Sequence, residues 1–325
     1  MPKRLWVSLA MGSAGLLLVV TSVLWSTGRI DLPGPFRTLR TVPRDDRSGE
    51  MGPSSAVSVP DRGREFRERL LASIWREQLI TVTVHVALCD SRLSKVANPN
   101  QGRGDSFREN LYWGAMYGVE TFFSRQGDWK FVHADAGRDP HVLRRVVFLR
   151  RASPTEEWRQ RGVTKPFDIC LLAQAWAGPY AADAMRAALN DGLGAKPPVV
   201  IEIGNRRIPF GSGSHLVGYV GYNALKDGHT ILPNPNEDLP KPEARGIFYI
   251  CASSADYLAI PLRQLGLYPV LLTTQHITPE AYVLHGLTET LANGQIETGF
   301  ALQAAQEYAH YNRMVPNEAR RIFVQ

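Results

Sequence analysis

Three short runs in the second half of the chain decide the fold: HLVGYVG (215–221), GIFYIC (246–251) and YPVLLTT (268–274). Each is of strand length and rich in β-branched or aromatic residues, and each is a continuous apolar run. A strand that is apolar on both sides has both sides buried, the habit of a parallel sheet covered by helices. Earlier runs extend the set: TVTVHVALC (81–89), RRVVFLRR (144–151) and FDICLLA (167–173).

Helix signals separate most of these runs. From Arg64 to Gln78, Phe66, Leu70 and Ile74 recur at i, i+4 and i+8 among charged residues, which predicts an amphipathic helix leading into the fold. Asn110 precedes the helical stretch LYWGAMYGVETFF, and Ser153 with Glu156 has capping-box spacing before a short helix. Pro179 opens YAADAMRAALNDGLG, whose last glycine suits a C-cap. Thr278 and Pro279 mark the start of a further helix running to Asn293 before Gly294. The exception is VVIEIGNRRIPF (199–210), where Gly204-Asn205 predicts the turn of a two-strand hairpin. Residues 64–325 are therefore expected to form one α/β domain, a three-layer sandwich with a mostly parallel central sheet.

Upstream of this domain the sequence changes character. Residues 5–25, LWVSLAMGSAGLLLVVTSVLW, carry no charge, and as a helix they would reach about 31 Å, enough to cross the hydrocarbon of a bilayer. Trp6 and Trp25 stand at the two ends, where indole rings favour the headgroup level. Lys3 and Arg4 would also suit a cleaved signal peptide, but the apolar stretch is long for one and no A-x-A-like site follows. The organisation expected is an N-terminal tip and single transmembrane anchor over 1–27, a Pro/Gly/Arg-rich tether over 28–63, and the α/β domain over 64–325. Basic residues flank the anchor on both sides, so the side on which the domain lies stays open.

The 325 residues are 44% hydrophobic, which excludes a disordered chain. The net charge of +6 is uneven: residues 1–70 carry 11 basic and 7 acidic groups. The excess therefore sits on the anchor and tether, the folded part is nearly neutral, and a nucleic-acid partner is not expected. Cys89, Cys170 and Cys251 are too few and too far apart for a disulfide framework, and no cluster has metal-ligand spacing, so neither metal nor cofactor is expected.

In an open α/β sheet, ligands bind outside the carboxyl ends of the strands. The residues to inspect are those just after each run: Asp90, Tyr222 with Asn223 and Asp227, Cys251 with Ser253, and His276. Cys251 ends its run and precedes the helical SADYLAIPL, whose N-terminus would favour a thiolate; a small buried hydrophobe is the alternative.

The succession HLVGYVGYNALKD, then GIFYICASS, then PVLLTT and a helix, resembles the core of caspase-like (clan CD) cysteine peptidases. It is also similar to a bacterial caspase-like group whose first segment reads G-H-N-G-L-M-D. The resemblance implies a catalytic Cys at Cys251 and places Tyr222 where the family has its catalytic His. It spans most of 80–325 in order of elements, and TVTVHVALC and NLYWGAMYGVETFF would be the first strand and helix.

The departure bears on activity. A tyrosine titrates near pH 10 and is a poor base at neutral pH, and without a base the thiol loses its usual activation. His215 begins its strand, about 23 Å from position 222 at the far edge of the sheet. His276 follows the next strand on the correct edge and is the substitute base expected, with Asn223 and Cys251 backbone N–H groups around the oxyanion. Asn223, Asp227, Asp90 and Ser253 are the expected substrate contacts. Two functions stay open: a membrane-tethered cysteine hydrolase acting on a peptide or protein, or a pseudoenzyme that keeps the cleft and binds a peptide or partner without turnover.

Overall fold

The computed structural model describes residues 61–234, 240 and 242–325. The elements run α1 (Arg62–Glu77), β1 (Leu79–Ala87), α2 (Val119–Arg125), β2 (Trp129–Asp135), β3 (Val142–Ala152), α3 (Glu156–Gln160), β4 (Phe167–Trp176) and α4 (Ala181–Leu193). Then follow β5 (Val199–Ile203), β6 (Arg206–Phe210), β7 (Leu216–Val220), β8 (Gly246–Ile250), α5 (Ser254–Gln264), β9 (Tyr268–Thr273), α6 (Ala281–Asn293), α7 (Gly299–Asn312), α8 (Pro316–Ala319) and β10 (Phe323–Val324). The anchor expected at 5–25 and the tether up to residue 60 lie outside the described residues. Among the described residues, no helix is long and apolar enough to cross a membrane.

Eight strands form one sheet in the order β10-β9-β8-β7-β1-β4-β3-β2. The five central strands, β9 to β4, are mutually parallel, and β3, β2 and β10 add antiparallel edges. The expected α/β class with a large, mostly parallel sheet is what the chain forms. Even-numbered side chains of β1 (Ile80, Val82, Val84, Val86) pack with α1, α6 and α7, while Val217, Tyr219, Ile247 and Tyr249 pack with α4 and α5 on the other face. The period-two alternation of a strand thus feeds two cores at once. Burying each of these Val, Leu or Phe side chains contributes roughly 1.5–3 kcal/mol, so the double-faced sheet is the main source of stability.

Several local expectations hold, and others shift for visible reasons. The hairpin β5-β6 turns at Gly204, whose φ of 58° lies in the left-handed region. Helix α4 ends on Gly194, and α6 ends on Gly294. Helix α1 starts at Arg62 with Asp61 accepting from Arg64 N–H, two residues ahead of the expected boundary. The cap of α3 is Thr155, whose hydroxyl accepts from Trp158 N–H, and not Ser153. Helix α6 begins at Ala281, after Glu280, rather than at Pro279.

The largest correction concerns 111–123. Only Val119–Arg125 is helical there. Asn110 instead folds the preceding stretch against the end of β1: its Oδ1 accepts from Cys89 N–H and Tyr112 N–H, and its Nδ2 donates to the carbonyls of Cys89 and Arg103. A side chain that satisfies this many backbone groups locally offers an alternative to the helical ladder. Gly114 closes the loop, because a Cβ there would overlap the Arg108 carbonyl.

Candidate functional site

The chain order reverses at β1: β4 lies on one side of it and β7, β8 and β9 on the other. Such a switch point opens a crevice at the carboxyl edge of the sheet. A cleft of about 340 Å³ lies there, lined by segments that follow β1 (Leu93 to Val96), β7 (Gly221 to Asn223 and Lys226), β8 (Ala252) and β9 (His276 to Pro279). Its apolar wall includes Leu111 and Tyr112, and Lys95, Lys226 and His276 bring polar atoms to it.

The floor is built by the exits of β7 and β8. Gly221 leaves β7 with φ 149°, and a Cβ there would meet the Tyr219 hydroxyl at 2.7 Å. That hydroxyl donates to the Tyr222 carbonyl at 2.6 Å, fixing the turn from below. Asn223 is buried; its Nδ2 donates to the Ala252 carbonyl at 2.8 Å and its Oδ1 accepts from Leu225 N–H. Ser253 sits in the left-handed region at φ 54°, and its N–H donates to the Gln275 carbonyl, which ties the β8 exit to the β9 exit. Three strand ends are thereby held in register around one cavity.

Of the residues expected to act, the structure brings Tyr222, Asn223 and His276 together in the cleft lining. The Tyr222 hydroxyl donates to Asp227 at 2.9 Å, and burial, then this carboxylate, push the phenol above its ordinary range. His276 is exposed in the cleft wall. Asp227 stands outside the lining and acts on the cleft through Tyr222.

Asp90 does something else. Its carboxylate accepts from Arg92 N–H and from the Arg92 guanidinium, which holds it below the usual carboxylate range. Its carbonyl receives Leu93 and Ser94 N–H groups, so Asp90 shapes the loop that follows β1 rather than facing a ligand.

Cys251 is 0% exposed and is not part of the cleft lining. It continues the odd-numbered face of β8 after Ile247 and Tyr249, and packs with α4 and α5 instead of opening to the carboxyl edge. Burial pushes its thiol far above the range of a reactive cysteine, against a smaller opposing effect of Lys226. Its carbonyl is taken by the Thr273 hydroxyl. The helix that begins at Ser254 therefore has the cysteine packed beneath it in an apolar core, not poised at its N-terminus.

A polar seam that the sequence reading passed over lies inside the domain. His85 Nε2 lies 2.9 Å from Asp191 of α4, and Trp176 donates its indole N–H to His85 Nδ1 at 3.0 Å. Accepting at Nδ1 leaves the ring proton on Nε2, so His85 donates to Asp191. Asp191 also accepts from the Ser212 hydroxyl. Beside it the Thr83 hydroxyl lies 2.8 Å from Ser214 Oγ and accepts from Gly211 N–H. The signal was the strict alternation TVTVHV, which puts Thr81, Thr83 and His85 on one face of β1. Among the described residues, no group of three or more His, Cys, Asp or Glu could hold a metal ion.

Comparison with known proteins returns no match: no protein-family model, no curated protein and no solved structure is similar to this chain.

Proposed function

We propose that the domain is a caspase-like pseudoenzyme whose carboxyl-edge cleft binds a peptide or partner segment without cleaving it. The topological support is the parallel order β4-β1-β7-β8-β9, in which Tyr222 and Cys251 follow adjacent strands paired at Val220 and Ile250. The observation that carries the reading is the burial of Cys251: a thiol with no exposure, raised by desolvation and outside the cleft lining where His276 stands, cannot attack a carbonyl held in the cleft. The cleft itself is intact, with an apolar wall at Leu93, Val96 and Leu111 for side chains and the polar atoms of Lys226 and His276 for a backbone. An anchor at residues 5–25 would hold this binding domain at a bilayer.

The test is a native-state reaction with an electrophilic peptide probe, run beside a peptide-array binding assay on the full chain. Binding that is weakened by Tyr222→Ala, together with no covalent labelling of Cys251, is expected. Labelling of Cys251, or peptide cleavage abolished by Cys251→Ala, would restore the hydrolase.

A further inference from the structure

The amino edge of the sheet, opposite the cleft, holds a second recess of about 230 Å³. It lies beneath the C-terminal half of α1, with Leu79 and Thr81 of β1 at its base and Pro209, Gly213 and His215 along one side. Arg69 and Arg76 of α1 also line it. They are seven residues apart, two helical turns, and so lie on one face of the helix.

His215 is 8% exposed, and its Nδ1 accepts the Thr81 N–H at 3.0 Å. The ring is therefore neutral with its proton on Nε2. That Nε2–H has no protein partner among the described residues, and it belongs to a side chain that lines the recess. That donor is open to the recess and not sealed in the core, so it is free to meet a ligand atom there.

Charge points the same way. Arg69 Nη1 donates to the carbonyls of Ser214 and Ala244, and its Nη2 lies 3.2 Å from Glu243. Glu243 also pairs with Arg245 at 2.9 Å, so two guanidinium groups share one carboxylate that is itself 65% exposed. Arg245 is buried, and its Nε has no hydrogen-bond partner. The mutual repulsion is felt: burial first, then Arg245, bring Arg69 down to about 10. Arg76 has no ion pair among the described residues. The one acid in the lining is Glu77 at the rim.

We propose that this recess is a binding site for a phosphate group, with Arg69, Arg76 and His215 Nε2–H as its donors. Two guanidinium groups and an imidazole N–H approaching from a helix and a strand suit a tetrahedral oxyanion. The neutral histidine supplies direction, and the arginines supply charge. The site uses no residue of the carboxyl-edge cleft and stands independently of what that cleft does.

Calorimetric titration of the full chain with inorganic phosphate, with acetate in parallel, tests the assignment. Saturable one-to-one phosphate binding is expected, with acetate at least tenfold weaker. Arg76→Gln should weaken phosphate at least fivefold without moving the unfolding midpoint, because Arg76 is exposed and unpaired. As a readout independent of any substitution, the His215 Nε2–H proton resonance should shift on titration. The proposal is overturned by absence of saturable binding up to about 10 mM phosphate. Equal affinity for acetate, or a His215 resonance that does not respond, overturns it as well.

Discussion

Asn223 Nδ2 donates to the Ala252 carbonyl at 2.8 Å, and this bond carries the link between two parallel strands beyond their last paired residues, Val220 and Ile250. Backbone pairing has ended at that point, so the amide side chain extends the sheet by one rung. Asn223→Ala would strand the buried Ala252 carbonyl and the Leu225 N–H together. The expected loss is about 1–3 kcal/mol in urea unfolding, with weaker peptide binding in the cleft beside it. Asn223→Asp restores the acceptor but not the donor, and should be no better.

The cysteines offer a clean measurement. All three are buried, with the Cys89 thiol pushed up to about 11 and Cys170 to about 12, each mainly by burial. A disulfide-exchange reagent at neutral pH should titrate none of them in the folded domain and all three in denaturant. A fast native thiol assigned to Cys251 by mass spectrometry would contradict the buried position.

His215 makes stability depend on pH in a stated direction. Burial, then Arg69 and Arg245, bring its imidazole down to about 3, against about 6.5 in an unfolded chain. The folded state therefore binds fewer protons than the unfolded state between these values. This contribution is fully present above about pH 6.5 and is lost as pH falls towards 3, with a slope approaching about 1.4 kcal/mol per pH unit. Urea midpoints measured from pH 7 to pH 5 should fall accordingly. The non-titrating His215→Gln should remove that part of the slope, and an unchanged slope would assign it elsewhere.

Gly218 sits in the middle of β7, paired with Phe248 of β8, where a Cβ would stand 2.4 Å from the Phe248 ring and the same from its carbonyl oxygen. The obstacle includes backbone on a central strand and cannot move aside. Gly218→Ala is expected to cost about 3 kcal/mol, and Gly218→Val to prevent folding, as read by circular dichroism and thermal melting.

Breaking the seam inside the domain should show in the same assay. Asp191→Ala leaves the His85 Nε2–H and the Ser212 hydroxyl without their acceptor, for an expected loss of about 1–3 kcal/mol. Trp176→Phe keeps the packing but removes one donor, and should cost less.

Much of the sheet was legible because buried parallel strands write themselves as unbroken apolar runs. FDICLLA and GIFYIC lie on β4 and β8, and the Gly-Asn turn of β5-β6 announces itself. The edges were not legible, for the complementary reason. Strand β2, WKFVHAD, is largely open to solvent, and β10 is two residues long, so neither carries an apolar signature. The stretch 111–118 has the periodicity of a helix, but Asn110 outbids the helical ladder for its backbone. At the candidate site, the strand exits identified Tyr222, Asn223 and His276. Spacing alone could not tell on which face of β8 the Cys251 side chain falls, and that face decides whether the thiol meets a ligand or a core.

Helix α1 passes into β1 through Gln78 alone, held in the left-handed region at φ 51°, and the Gln78 carbonyl is already bonded to Asp168 N–H at 2.8 Å. Strand β1 lies between β7 and β4, in the interior of the sheet. A mechanical load on the chain ahead of Asp61 is thus delivered, once α1 is peeled away, to an interior strand flanked on both sides. A pull along the axis of β1 would strain its hydrogen bonds to both parallel neighbours together, so this strand yields less readily to such a load than an edge strand would.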